Sequence, residues 1–131
     1  MSCPSMIYTV LTNAAVSENG TAGFGTPTRR YGGAIRLDGS GIALDGSGYF
    51  AIDATLIITP EATGPVTIQF FQDGQPISGA LATSQGTAAQ PMNLSVTGEA
   101  RNCTRCCSST LTYTVSAAGT IDSLTTRVTK A

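Results

Sequence analysis

The chain has 131 residues, seven basic and eight acidic side chains, and neither histidine nor tryptophan. Ordinary domains carry roughly 25% charged residues; this chain carries 11%, with 41% hydrophobic. The balance excludes a basic nucleic-acid binder, which needs a phosphate-neutralising patch. The missing histidine excludes Ser-His-Asp and Cys-His catalysis and removes the commonest metal ligand.

The length fits one domain with one core. Low charge with high hydrophobicity is the reverse of a disordered composition. Apolar runs such as residues 54–58, broken by Thr55, are far too short for a bilayer span, so no membrane partner is expected. The opening Met1-Ser2-Cys3-Pro4-Ser5 has neither the basic nor the apolar region of a signal peptide. The expectation is a protein that stays in its cell or leaves it by assembly or lysis.

Alternation of period two runs through the chain. It predicts strands at about 7–12, 31–37, 41–44, 48–58, 65–72, 76–82, 92–98, 109–116 and 120–129. The clearest is the run Phe50, Ile52, Ala54, Leu56, Ile58 against Tyr49, Ala51, Asp53, Thr55, Ile57, one apolar face and one mixed. Val66, Ile68 and Phe70 alternate with Thr67, Gln69 and Phe71, and Leu111, Tyr113 and Val115 with threonines. Threonine at the polar positions suits a pleated surface. No window shows a capped helical stripe.

Turn residues separate the strands: Glu18-Asn19-Gly20, Asp38-Gly39, Asp45-Gly46, Ala62-Thr63-Gly64-Pro65, Asp73-Gly74, Gln85-Gly86 and Ala118-Gly119. Asp-Gly between apolar alternations is a strong hairpin signal. The near-repeat Ile35-Arg36-Leu37-Asp38-Gly39-Ser40-Gly41, then Ile42-Ala43-Leu44-Asp45-Gly46-Ser47-Gly48, reads as two successive turns. It has too few copies, the wrong period and no bidentate glutamate for a calcium site. Many short strands with frequent turns mean a sandwich, jelly roll or barrel.

Gly48-Tyr49-Phe50-Ala51-Ile52 after Ile42-Ala43-Leu44, with Val66-Thr67-Ile68-Gln69-Phe70-Phe71 running into Gln72-Asp73-Gly74-Gln75-Pro76-Ile77-Ser78-Gly79-Ala80, resembles the TNF/C1q-like jelly roll. With Arg29-Arg30-Tyr31-Gly32 and the later cysteines, the chain is also similar to small structural proteins of phages and prophages of Gram-positive gut bacteria. The resemblance implies an all-β antiparallel jelly-roll sandwich with a body at 28–131 and an N-terminal segment with the first strand at 1–27, one domain in all. It implies a homotrimer with one sheet face toward a threefold axis. Tyr49, Ile57, Phe71 and Tyr113 are the interface candidates, Phe71 foremost because Phe70 fills the inward slot beside it.

The cysteines carry the sharpest chemistry. Cys103-Thr104-Arg105-Cys106, Cys107 and the distant Cys3 supply four thiols, enough for a zinc site only if all four converge. A redox Cys-x-x-Cys opens a helix in a βαβ context, which is absent here. Structural disulfides or free thiols among Cys3, Cys103, Cys106 and Cys107 are therefore expected, with metal binding the weaker reading and no cofactor.

Arg29 and Arg30 are adjacent, so in a strand they point to opposite faces. Asp53 alone among the carboxylates sits mid-strand, on the mixed face, placed for an arginine across strands or subunits; no second in-strand acid completes a glycosidase dyad. The Asn-x-Ser/Thr triplets at Asn19, Asn93 and Asn102 read as chance products of a threonine-rich chain. The expectation is a non-enzymatic, trimeric structural unit of a virion or extracellular surface assembly, partnered by other assembly proteins. A module binding a host-surface glycan or protein is the alternative.

Overall fold

The computed structural model describes residues 5–102 and 108–130. Ten strands make up the described chain: β1 (Ser5–Val16), β2 (Thr26–Tyr31), β3 (Ile35–Asp38), β4 (Gly41–Asp45), β5 (Gly48–Pro60), β6 (Gly64–Gln72), β7 (Gln75–Gly86), β8 (Met92–Asn102), β9 (Ser108–Val115) and β10 (Gly119–Lys130). They form two five-stranded antiparallel sheets, ordered β2-β1-β10-β5-β8 and β3-β4-β9-β6-β7. The fold is an all-β jelly-roll sandwich.

The alternation read from the sequence is the alternation of burial. Phe50, Ile52, Leu56 and Ile58 of β5 are buried, as are Val66, Ile68 and Phe70 of β6 and Leu111, Tyr113 and Val115 of β9. Their side chains meet between the sheets and merge into one core, as two half-apolar sheets require. An aromatic cluster stands at its centre, with the Phe24 and Tyr113 rings edge-on at 5.1 Å and Phe70 within 6.2 Å of both.

One expected strand does not exist as such. Residues 31–37 read as a continuous strand, but the chain breaks at residues 32–34, where Gly32 takes φ +76°. The break lets β2 end on one sheet and β3 begin on the other, so the segment is a crossover between layers. The sequence near-repeat resolves into two turns: Asp38-Gly39-Ser40-Gly41 closes the β3–β4 hairpin and residues 46–47 lead into β5. Asp73 and Gly74, at φ +51° and +82°, link the paired Gln72 and Gln75. Two positive-φ residues between paired flanks make this a type I′ hairpin, whose twist matches that of its strands.

Where β8 and β7 approach, the two sheets nearly touch. A Cβ on Gly98 would stand 2.5 Å from the Ala80 Cβ, so only glycine fits this edge of the sandwich. At the end of β8, buried Asn102 ties the layers by hydrogen bonds. Its Nδ2 donates to the carbonyls of Leu44 (3.1 Å) and Gly46 (2.9 Å), and its Oδ1 accepts from Ser109 Oγ (2.7 Å) and Gln72 Nε2 (3.0 Å). Every hydrogen-bonding position of this carboxamide is filled. Its burial also removes Asn102 as a glycan acceptor in the folded state.

Two hydroxyls break the rule that buried polar groups are paired. Thr9 and Thr126 face each other across β1 and β10 on the inward side, fully buried, and neither Oγ1 has a protein hydrogen-bond partner. Replacing both with the near-isosteric valine removes their desolvation cost. The T9V/T126V variant is expected to match or exceed the parent by up to about 1 kcal/mol in urea denaturation. Asn102→Ala, by contrast, strands four partners and is expected to cost about 2–4 kcal/mol in the same measurement.

Candidate functional site

The described residues hold no group of three or more acidic, cysteine or histidine side chains placed to bind a metal ion. Cys3, Cys103, Cys106 and Cys107, the residues of the metal and disulfide readings, lie outside the described residues. The chemistry the described residues do present is a surface: the outward face of the β2-β1-β10-β5-β8 sheet.

Strand registers order that face into rows running across the strands. One row reads Thr97, Asp53, Arg127, Tyr8, Arg29, from β8 through β5, β10 and β1 to β2. The rows on either side are Glu99, Ala51, Thr129, Met6, Tyr31 and Ser95, Thr55, Thr125, Val10, Thr26. A further row carries Asn93, Ile57, Ser123 and Thr12. At the other end Arg101 stands opposite Tyr49, its guanidinium carbon 5.5 Å from the ring centroid, a cation–π contact.

The face is mostly threonine, serine, alanine and aromatic, with its charges gathered in few rows. Of the four large apolar side chains most exposed in the described chain, Tyr31 (51%), Tyr49 (50%) and Ile57 (37%) lie on it, and Leu81 (48%) on the other sheet. Two shallow depressions open on the charged row. One of about 270 Å³ is lined by Tyr8, Asp53, Thr55, Thr125 and Arg127, the other of about 200 Å³ by Met6, Tyr8, Arg29 and Arg127. Asp53 and Arg127 are direct cross-strand neighbours, yet the ion pair found among the described residues is Arg36–Asp45, on the other sheet. Arg30, pointing away from Arg29, donates its Nε to the Ile35 carbonyl at 3.2 Å.

The four interface candidates do not share a surface. Tyr49 and Ile57 lie on the face just described. Phe71 belongs to β6, on the opposite sheet, beside the register shift that precedes the Asp73-Gly74 turn, so it cannot join them on one flat contact. Tyr113 is fully buried, which removes it from any contact between copies. Its hydroxyl donates to the Gly23 carbonyl at 2.6 Å and accepts from the Ala22 N–H at 3.3 Å. Burial pushes this hydroxyl above the ordinary tyrosine value of 10.0, partly offset by hydrogen bonds to Thr21 and Ala22.

Tyr8, Met6 and Arg127 escaped the sequence reading, and Tyr31 entered it only within Arg29-Arg30-Tyr31-Gly32, not as an interface residue. In β1 the inward positions include Thr9 and the outward ones Met6, Tyr8 and Val10. Both faces of that strand look mixed, and alternation alone gives no sign of which one turns to the core.

The sandwich defined by these two sheets is a TNF/C1q-like jelly roll. It is similar to murine APRIL, a TNF-family protein, at TM-score 0.75 and 11% identity over 98% of this chain and all of that one. The globular domain of zebrafish complement 1qA follows at TM-score 0.65 and 5% identity, over 95% and 94% of the two chains. Vertex protein P5 of PRD1, a phage protein, aligns at TM-score 0.61 and 10% identity, over 96% and 72%. No family model and no curated protein sequence matches the chain. At these identities the likeness is one of fold.

The buried Tyr113 hydroxyl gives the fold an alkaline limit. Unfolded tyrosine ionises near pH 10, while the folded residue holds its proton to higher pH. Stability present below pH ~10 is therefore lost as pH rises through the folded value, by at most about 1.4 kcal/mol per pH unit. Denaturation of Tyr113→Phe at neutral pH should show a loss of about 1–3 kcal/mol, since the buried Gly23 carbonyl loses its donor. The same variant should show a shallower decline above pH 10.

Proposed function

We propose that this protein is a non-enzymatic structural unit, a homotrimer assembled through the outward face of the β2-β1-β10-β5-β8 sheet, and a component of a phage virion such as a capsid decoration, head fibre or fibre tip. The observation that carries the trimer is that Tyr31, Tyr49 and Ile57, three of the four large apolar side chains most exposed among the described residues, lie on one sheet face. Support comes from the fold neighbours, whose families are homotrimeric and which include a phage vertex protein. A cyclic trimer asks each copy for two patches of about 800 Å² each, the size of a standard interface. The chain exposes 6661 Å², so about a quarter of its surface would be covered. Exposed aromatic and branched side chains are the usual anchors of such a contact.

The absence of histidine from the chain supports a role without catalysis; in-strand acids do not bear on it, because Glu99 of β8 and Asp122 of β10 join Asp53 in mid-strand positions. The virion is supported by the phage neighbour and by the sequence resemblance. Mass spectrometry of purified particles, and capsid or tail genes beside this one, would test that part.

Light scattering on the full chain at micromolar concentration should give about three times the 13.4 kDa of one copy. A clean monomer there overturns the reading. Ile57→Glu places a charge at the exposed apolar position of the last row of the face and should shift the protein to monomer while leaving its circular dichroism unchanged. A fully trimeric Ile57→Glu would move the interface elsewhere.

A further inference from the structure

The charged row is asymmetric. Asp53 lies toward the β8 edge of the sheet, and Arg127 and Arg29 lie toward the β2 edge, with Tyr8 between the two arginines. Three strand steps separate β5 from β2, about 14 Å at the usual spacing, so Asp53 and Arg29 of one copy cannot pair. The depression lined by Met6, Tyr8, Arg29 and Arg127 offers two guanidinium groups and contains no acid of its own. Asp53 in turn is exposed and pairs with no cation among the described residues.

We infer that Asp53 of one copy enters the Arg29–Arg127 depression of the next. This rests on the trimer reading above and adds to it the contact that sets how the copies meet. A threefold axis parallel to the strands leaves each residue at its own height, so every row meets the same row of its neighbour. Head-to-tail closure then sets the β5–β8 side of one copy against the β1–β2 side of the next. In the charged row that opposes a carboxylate to two guanidinium groups, a planar match that arginine makes bidentately. In the rows beside it, Val10 and Thr26 face Thr55 and Ser95, and Met6 and Tyr31 face Ala51 and Glu99.

The complementarity also supplies specificity. A copy turned upside down presents its own Arg29 and Arg127 to those of its neighbour, like charge against like. A slip by one row sets the two arginines against Ala51 and Glu99 in one direction, and in the other against Thr55 and Ser95, where they go unpaired in a closed contact.

The test is a charge swap on the full chain, read as the concentration at which trimers dissociate. Asp53→Arg and Arg29→Asp should each raise that concentration at least tenfold. The swapped D53R/R29D chain should return to within about threefold of the parent. Restoration reports a contact between copies, because the two positions are out of reach within one. Equal weakening in the swap and in the two singles combined overturns the inference while leaving the trimer standing. A monomeric parent overturns the trimer reading itself. Asp53→Arg also sets two arginines opposite each other in one copy; if that unfolds it, the neutral pair D53N and R29Q decides instead. R29Q should then have no further effect once D53N is present, and additive effects would overturn the inference.

Discussion

Everything in this molecule depends on the pairing of β1 with β10. The first and last described strands run side by side over eleven paired residues, from Ser5 with Lys130 to Val16 with Gly119. They do so inside a sheet, flanked by β2 and β5. A shift of one residue in this ladder would flip one of the two strands, turning either Ile7 out of the core and Tyr8 in, or Leu124 and Val128 out and Arg127 in, because side chains alternate with period two. That one register therefore fixes both the apolar layer and the order of charges on the outward face. It is also the least local pairing the chain makes. The entropy of closing so long a loop must be met before the pairing rewards it, which makes this a slow-folding topology.

Local features were legible in the sequence, and long-range ones were not. The β5 strand followed from the strict alternation of Phe50 through Ile58, and the Asp73-Gly74 hairpin from a dipeptide whose backbone freedom has one common use. An all-β sandwich, jelly roll or barrel followed from the number and spacing of such units, and the choice of jelly roll from the resemblance to the TNF/C1q-like family. Tyr113 was misassigned to the interface although it shares a phase with Leu111 and Val115, and that phase is buried. Which strands pair was not legible. Phe71 and Tyr49 are both outward residues of neighbouring strands in sequence, yet β5 and β6 belong to different layers, so a grouping by outwardness alone mixes two surfaces. The β2–β3 crossover was missed for a related reason. Tyr31 and Ile35 both look like strand residues, and nothing short of the sheet assignment shows that they serve different ones.

The low charge of the chain has a physical reading in this architecture. A sandwich has two outward faces, and polar groups without charge can wet both: threonine on β9 and β10, serine and glutamine elsewhere. Hydroxyls on a pleated surface cost little to desolvate compared with ionised groups, so such a face is compatible with either water or a partner. Charges are then free to carry information. On one sheet Arg36 and Asp45 are spent on each other within the chain. On the other, the face rich in exposed aromatics, Asp53, Arg127 and Arg29 stand in one row, with Glu99 and Arg101 on β8 beside it.

The same ladder that joins β1 to β10 brings Ser5 beside Lys130, so the two ends of the described chain leave from one pole. The opposite pole is built from braced loops: Glu61 N–H donates to the Ala118 carbonyl at 3.0 Å, Ala89 N–H to the Pro60 carbonyl at 2.9 Å, and Ala88 N–H to Thr63 Oγ1 at 3.1 Å. The molecule thus has a stem side and a crown side. Any passenger sequence genetically added at either end would hang from the stem, and the crown would be displayed outward with its loops already held in shape. For loop grafting or directional display this is a bipolar scaffold, with attachment and presentation on opposite ends of the same strands.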